Sequence, residues 1–162
     1  MLDIAPLPSF QRYCLSSTGL KYQSIDVALP WTTIRADIRA APYGDETFQV
    51  ILCSHVLEHI PEDRVAMREI HRLLASGGFA LIQVPIDGAE TREDASISDP
   101  EERRRLYGQA DHVRSYGMDV SVRLSQAGLR VEVVPYARQF SKAEQARYGL
   151  DPEEVLFVCH KD

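Results

Sequence analysis

The groups best suited to chemistry in this 162-residue chain are polar residues that stand where apolar segments stop. Asp26 ends Tyr22-Gln23-Ser24-Ile25, Asp37 ends Thr33-Ile34-Arg35-Ala36, and Ser54-His55 follow the apolar run Phe48–Cys53. Asp26, at the end of the second strand-like segment of the chain, can accept two hydroxyl protons from a ribose, or it can simply cap its own strand end. His55-Val56-Leu57-Glu58-His59 adds two imidazoles and an acid at the H-x-x-E-H spacing of inverted zinc peptidases. It directly follows an apolar strand and is cut off by Pro61. A five-residue match of this kind arises readily by chance, so no metal is expected there. Further along, Asp111-His112-Val113-Arg114-Ser115-Tyr116-Gly117 concentrates charge, imidazole and phenol between helical stretches, as a loop folded over strand ends does.

These groups need a scaffold that gathers segment ends together. Leu2–Ala5 reads as a short strand, followed by a helix over about Ser9–Ser17 that Gly19 stops. Tyr22–Val27 and Thr33–Asp37 read as strands, Tyr43–Glu46 as a turn, and Phe48–Cys53 as a central strand buried on both faces. Pro61-Glu62 open a helix whose stripe Ala66, Met67, Ile70, Leu73 and Leu74 repeats at helical spacing until Gly77-Gly78. Phe79–Val84 is the next strand and Ile86–Ile97 a polar loop. Asp99-Pro100-Glu101-Glu102 starts another helix with a capping acid and a first-turn proline. A helix over Met118–Ala127, a strand over Val131–Val134, a capping box at Ser141 and Glu144, and a last strand over Val155–Cys159 complete the series.

Strand and helix alternating over short connections require a parallel sheet covered on both faces by right-handed crossovers. The last two strands suit an antiparallel edge. With no repeat, low-complexity tract or linker, residues 1–162 read as one α/β domain, doubly wound and mostly parallel. Ligands in such sheets bind outside the carboxyl ends of the strands near the switch point. That selects Ala5-Pro6, Asp26, Asp37-Ile38, Ser54-His55 and Pro85-Ile86.

Composition narrows the class. A net charge of −6 gives no electrostatic reason to expect nucleic-acid binding. Arg103-Arg104-Arg105 follows Glu101-Glu102 and reads as a solvated helix face. No apolar run reaches membrane-spanning length and no secretory signal opens the chain, so the cytoplasm is expected. Cys14, Cys53 and Cys159 lie widely spaced in apolar stretches, as buried reduced thiols do.

Three blocks carry a resemblance. Residues Asp37 to Ile51 (DIRAAPYGDETFQVI) resemble the D-I-x-x-x-P-F-x-D-x-x-F-D-V-I block of class I S-adenosylmethionine-dependent methyltransferases, in the branch called methyltransferase type 11. Cys53–Ile60 is similar to that branch's segment after the fourth strand, and Arg68–Gly78 to its REIxRVLKPGG helix end. The resemblance implies a Rossmann-like fold and S-adenosylmethionine as cofactor. Asp26 would bind the ribose hydroxyls, Asp37 and the Ile38 backbone the adenine, and Ser54 and His55 the methionine part. For His55, a satisfied polar group at a strand end is an equal reading.

The branch's first strand usually runs into an acid followed by G-x-G-x-G. Here Asp3 fits the acid, while Ala5, Leu7 and Ser9 stand at the glycine positions and Pro6 and Pro8 lack N–H donors. The segment Asp111–Gly117 looks like a DHVRxYG stretch of one sub-branch. Methyl transfer to O–H or N–H needs a proton sink, which nominates His112 as general base and Arg114 and Tyr116 as acceptor contacts, with a loop lock as the equal alternative. The expected activity is methyl transfer to a small-molecule or glycan-type acceptor. The alternative is a non-catalytic binding or scaffold domain, which the altered first loop favours. The branch's helices before the first strand are also missing from this sequence, and apolar surface left uncovered there gives room for a homodimer.

Overall fold

The computed structural model describes all 162 residues. Its sheet is built around β4 (Phe48–Ser54), whose Ile51 and Cys53 are almost fully buried. On one side of β4 lie, in order, β1 (Leu2–Ile4), β2 (Gln23–Asp26) and β3 (Ile34–Arg35), all parallel. On the other side β5 (Leu74–Gln83) is parallel, β9 (Leu156–His160) antiparallel to it, and β8 (Arg130–Val134) antiparallel to β9. The spatial order is β3-β2-β1-β4-β5-β9-β8. The chain leaves β1 in one direction and β4 in the other, so the switch point lies between those two strands.

Right-handed crossovers in opposite directions place their helices on opposite faces. α1 (Pro8–Ser16) joins β1 to β2, with proline at its first turn, and α2 (Asp63–Leu73) joins β4 to β5. α2 buries Ala66, Met67, Ile70 and Leu73, the stripe expected from its spacing, against the sheet. These side chains belong to one continuous cluster of 23 buried residues that also contains Leu2, Ile25, Ile51, Ile82 and Phe157. The antiparallel edge expected for the last strands is present. The Ser141–Glu144 capping box opens α5 (Lys142–Tyr148), and Asp99 caps α3 (Pro100–Tyr107) through a 2.8 Å bond from the Glu102 N–H. No helix is long and apolar enough to cross a membrane.

Three local expectations change. The helix α2 ends at Leu73 rather than at Gly77-Gly78, and Leu74, read as part of its stripe, opens β5 and pairs with Phe48. Ile86–Ile97 is not wholly loop: β6 (Arg92–Glu93) pairs antiparallel with β7 (Arg114–Ser115) in a separate ribbon. Two-residue polar strands carry no periodicity, and this pair is fixed by the Arg114–Glu93 ion pair rather than by an apolar face. The helix placed from Met118 is shorter, α4 (Val120–Gln126). The H-x-x-E-H segment forms only a short 3-10 turn over Leu57–His59.

Candidate cofactor and acceptor site

Two cavities open at the carboxyl ends of the strands, divided by Ala5 and His55, which line both. These two residues follow β1 and β4, the strands flanking the switch point, and both adopt left-handed backbone conformations, each with φ +54°. For residues bearing a Cβ this stores about 1–2 kcal/mol each. The conformation is held by backbone bonds of 2.9 Å from the Ala5 N–H to the Ile25 carbonyl and from the His55 N–H to the Gln83 carbonyl. The sharp turn that a glycine would make after β1 is therefore present here on an alanine.

The first cavity, of about 530 Å³, is walled by Ile25, Val27, Leu29, Ile38 and Ile60 and carries Asp26 and Asp37. Its size falls within the roughly 300–1,000 Å³ range of ligand pockets. Asp26 spends Oδ1 on its own loop, accepting from the Ala28 N–H at 2.6 Å and the Leu29 N–H at 2.8 Å, and no protein donor meets Oδ2. Both readings of Asp26 are thus compatible in one side chain, with one oxygen shaping the loop and the other free. Asp37 is differently placed. Its carboxylate receives the Arg39 side chain, with Nη2 to Oδ2 at 2.6 Å, and the Arg39 N–H at 2.8 Å. Hydrogen bonding by Arg39 outweighs burial and holds the Asp37 carboxyl below its ordinary range. Arg39 also pairs with Glu62, so Asp37 orients an arginine at the rim and has little left for an adenine, whereas Ile38 forms part of the wall.

The second cavity, of about 410 Å³, is lined by Leu7, Phe10, Leu81 and Leu156, with Asp3, Ser54 and Gln83 as its polar groups. Ser54 donates to Gln83 Oε1 at 3.1 Å. Asp3 is buried and accepts a 2.8 Å bond from the Tyr22 hydroxyl. Burial raises its pKa, and the Tyr22 bond opposes the shift only in part. Pro6 is buried and lines neither cavity.

The Asp111–Gly117 segment does fold beside the first cavity, through Asp111. The structure does not bring Arg114 or Tyr116 to it. Arg114 is buried and donates to the carbonyls of Leu57 at 3.0 Å, Ile60 at 2.5 Å and Pro61 at 2.7 Å, and to Glu93 at 2.8 Å. Tyr116 is fully buried and donates to Asp63 at 2.7 Å. Every polar group on these two side chains is engaged in tying the segment to β6 and to the residues that lead into and open α2. His112 is also buried, with Nδ1 2.8 Å from the Tyr107 carbonyl, and it reaches the cavity only by stacking edge-on against His59, which lines it. Residues not anticipated here are Glu58, Arg39 and Asp63. Glu58 lay in view within the H-x-x-E-H match. Arg39 and Asp63 carried no sequence signal beyond their charge.

The strand order and the ligand cavity at the switch point define a class I methyltransferase fold, and comparison with known proteins agrees. Residues 10–82 match the family model described as "Methyltransferase domain", of type 11. No curated protein sequence matches the chain. Among solved structures, an S-adenosylmethionine-dependent methyltransferase from Mesorhizobium loti superimposes with TM-score 0.66 at 14% identity, over 98% of this chain and 88% of that one. A 1,6-didemethyltoxoflavin-N1-methyltransferase from Burkholderia thailandensis, solved with S-adenosylhomocysteine, gives TM-score 0.65 at 15% identity, covering 99% and 70%. A methyltransferase from Haloferax volcanii, in complex with the Trm112 activator, gives 0.63 at 16%, covering 98% and 80%. Residues 10–82 thus resemble the methyltransferase type 11 family, and the whole chain shares the fold of the class I S-adenosylmethionine-dependent methyltransferases.

Proposed function

We propose that the chain binds S-adenosylmethionine in the first cavity and transfers its methyl group to a small-molecule or glycan-type acceptor entering through the second. The carrying observation is the free Oδ2 of Asp26 at the end of β2, inside an apolar cavity at the switch point. A carboxylate in that position accepts ribose hydroxyls, and the walls Val27, Ile38 and Ile60 suit a flat adenine. When bound, the cofactor supplies an electrophilic methyl on a sulfonium. The protein's part is positioning, since in-line displacement depends mostly on holding the two reactants in register. Ala5 and His55, common to both cavities, stand where the methyl group would pass.

The test is calorimetric titration with S-adenosylhomocysteine. Asp26→Asn keeps an oxygen for the loop bonds and removes the charged acceptor. One charge-assisted bond to the free Oδ2 is worth about 1.5–3 kcal/mol, so Asp26→Asn should weaken binding by roughly 10- to 100-fold. A second reading, a binding or scaffold domain without turnover, draws on the first loop: Pro6 supplies no donor and the Ala5 N–H is already spent on Ile25. A folded protein that takes up no S-adenosylhomocysteine would establish that reading instead.

A further inference from the structure

Glu58 presents a chemical problem that the cofactor site does not solve. Its side chain is 2% exposed and both carboxylate oxygens lack a hydrogen-bond partner. The nearest basic side chain is His55, whose Nδ1 lies 3.3 Å from Oε1. Burying a carboxylate without partners is costly by several kcal/mol, so such a group normally faces a proton or a cation.

Two imidazoles face the same spot. A donor atom from each of Glu58, His59 and His112 lies within 4.8 Å of the other two. The tautomers are set by their outer neighbours. His112 Nδ1 is 2.8 Å from the Tyr107 carbonyl, an oxygen that can only accept, so Nδ1 carries the proton and Nε2 keeps its lone pair. His59 Nδ1 sits 3.2 Å from an Asp111 carboxylate oxygen, an orientation that favours the same tautomer. An imidazole backed on Nδ1 by a carbonyl or a carboxylate, with the other nitrogen free, is the arrangement that orients metal-binding histidines.

We propose that Glu58, His59 and His112 bind one divalent transition-metal ion of the zinc class in the wall of the first cavity. Two imidazoles and a carboxylate favour such an ion over magnesium or calcium, and three protein ligands leave one position open. His59 lines the cavity and brings the site to its wall. Tetrahedral coordination at about 2.0–2.1 Å needs donors about 3.4 Å apart, so the side chains close in by roughly 1 Å on binding. This is not the inverted-peptidase arrangement that the sequence match suggests. Leu57–His59 is a 3-10 turn, His55 is not a ligand, and the third ligand comes from the segment after α3. The position also bears on methyl transfer: an acceptor hydroxyl bound at the open site would be more acidic, a consequence that rests on the methyltransferase reading.

The test uses the untagged chain, stripped with a chelator and titrated with Zn²⁺ by calorimetry, with metal per chain counted after desalting. We expect one equivalent in the wild type, none in Glu58→Gln or His112→Ala, and binding weakened about 10- to 100-fold in Asp111→Ala. His55→Ala should keep the ion. Stripped Glu58→Gln should melt no lower than the stripped wild type, since it loses only an orphaned charge; that comparison shows the variant is folded if His112→Ala is not. A folded, stripped wild type that takes up no Zn²⁺, or retention of stoichiometric Zn²⁺ by both Glu58→Gln and Asp111→Ala, would overturn the proposal. The readout is metal content, so it fails or succeeds independently of the S-adenosylhomocysteine titration.

Discussion

Asp3 shows how a single residue can look like a ligand group and act as a buried acid. It stands where the branch carries its first-strand acid, yet it is 6% exposed, lines the second cavity and is held by Tyr22. Its pKa in the folded chain lies above the ordinary carboxyl value of 3.8. The folded state therefore holds the proton more tightly than the unfolded chain does. Stability is lost as pH rises from 3.8 through the raised value, and nothing is lost below 3.8. Asp3→Asn keeps an acceptor for the Tyr22 hydroxyl and removes the charge. It should melt above the wild type at pH 7, with the gap closing as pH falls toward 4. A variant that melts lower at pH 7 would show that the carboxylate is stabilised by something other than Tyr22. Ala5 and His55 make the complementary point. Their left-handed backbones sit side by side at the switch point, where strain is retained because the neighbouring strands over-determine it.

At the scale of elements, the ribbon β6–β7 and the start of α2 are joined by one buried network. Asp63 accepts from Tyr116 at 2.7 Å and Arg123 at 3.2 Å, Arg114 lies 3.7 Å away, and Glu93 receives both arginines. Burial works against the Glu93 carboxylate, and hydrogen bonds from Arg123 and Arg114 overcome it and hold its pKa below the ordinary value of 4.5. The contribution of Glu93 to stability is accordingly present above 4.5 and fades as pH falls through the lowered value. Arg114→Ala leaves Asp63 with fewer charge partners and the Ile60 and Pro61 carbonyls without their donor. It should cost about 3–5 kcal/mol in urea unfolding, and Arg114→Lys should recover little of it, because an ammonium cannot span the same carbonyls and Glu93 at once. Near wild-type stability in the lysine variant would mean that charge alone holds the ribbon. Gly117 belongs to the same device: a Cβ there would lie 2.4 Å from the Glu90 backbone, so the segment must carry glycine for the two chains to pass.

For the molecule as a whole, the seven-stranded sheet hangs on β4, whose Ile51 pairs with Leu2 on one side and Ala80 on the other and is fully buried. Ile51→Ala should lower stability by about 2–5 kcal/mol by cavity formation. At 162 residues each kcal/mol corresponds to roughly 2–4 °C in melting temperature, readable by calorimetry. A loss below 1 kcal/mol would imply that the sheet collapses into the space.

What the sequence determined by itself follows from short-range rules. The stripe of α2, the caps at Asp99 and Ser141 and the continuous apolar run of β4 are set by neighbours within a turn or a strand, so periodicity and capping chemistry suffice to place them. The parallel sheet and its switch point follow from element order and crossover handedness, and they point to Asp26 and His55 as strand-end residues. Tertiary structure alone decided which polar groups face a ligand. Asp26 keeps a free oxygen while Asp37, with the same pattern around it, is taken by Arg39 two residues on. Arg114 and Tyr116 are drawn inward to carbonyls and an acid 53 or more positions away, and His112 is brought against His59 across the same separation in the chain. Such pairings depend on how loops cross after the sheet has formed, and no local period or spacing encodes them.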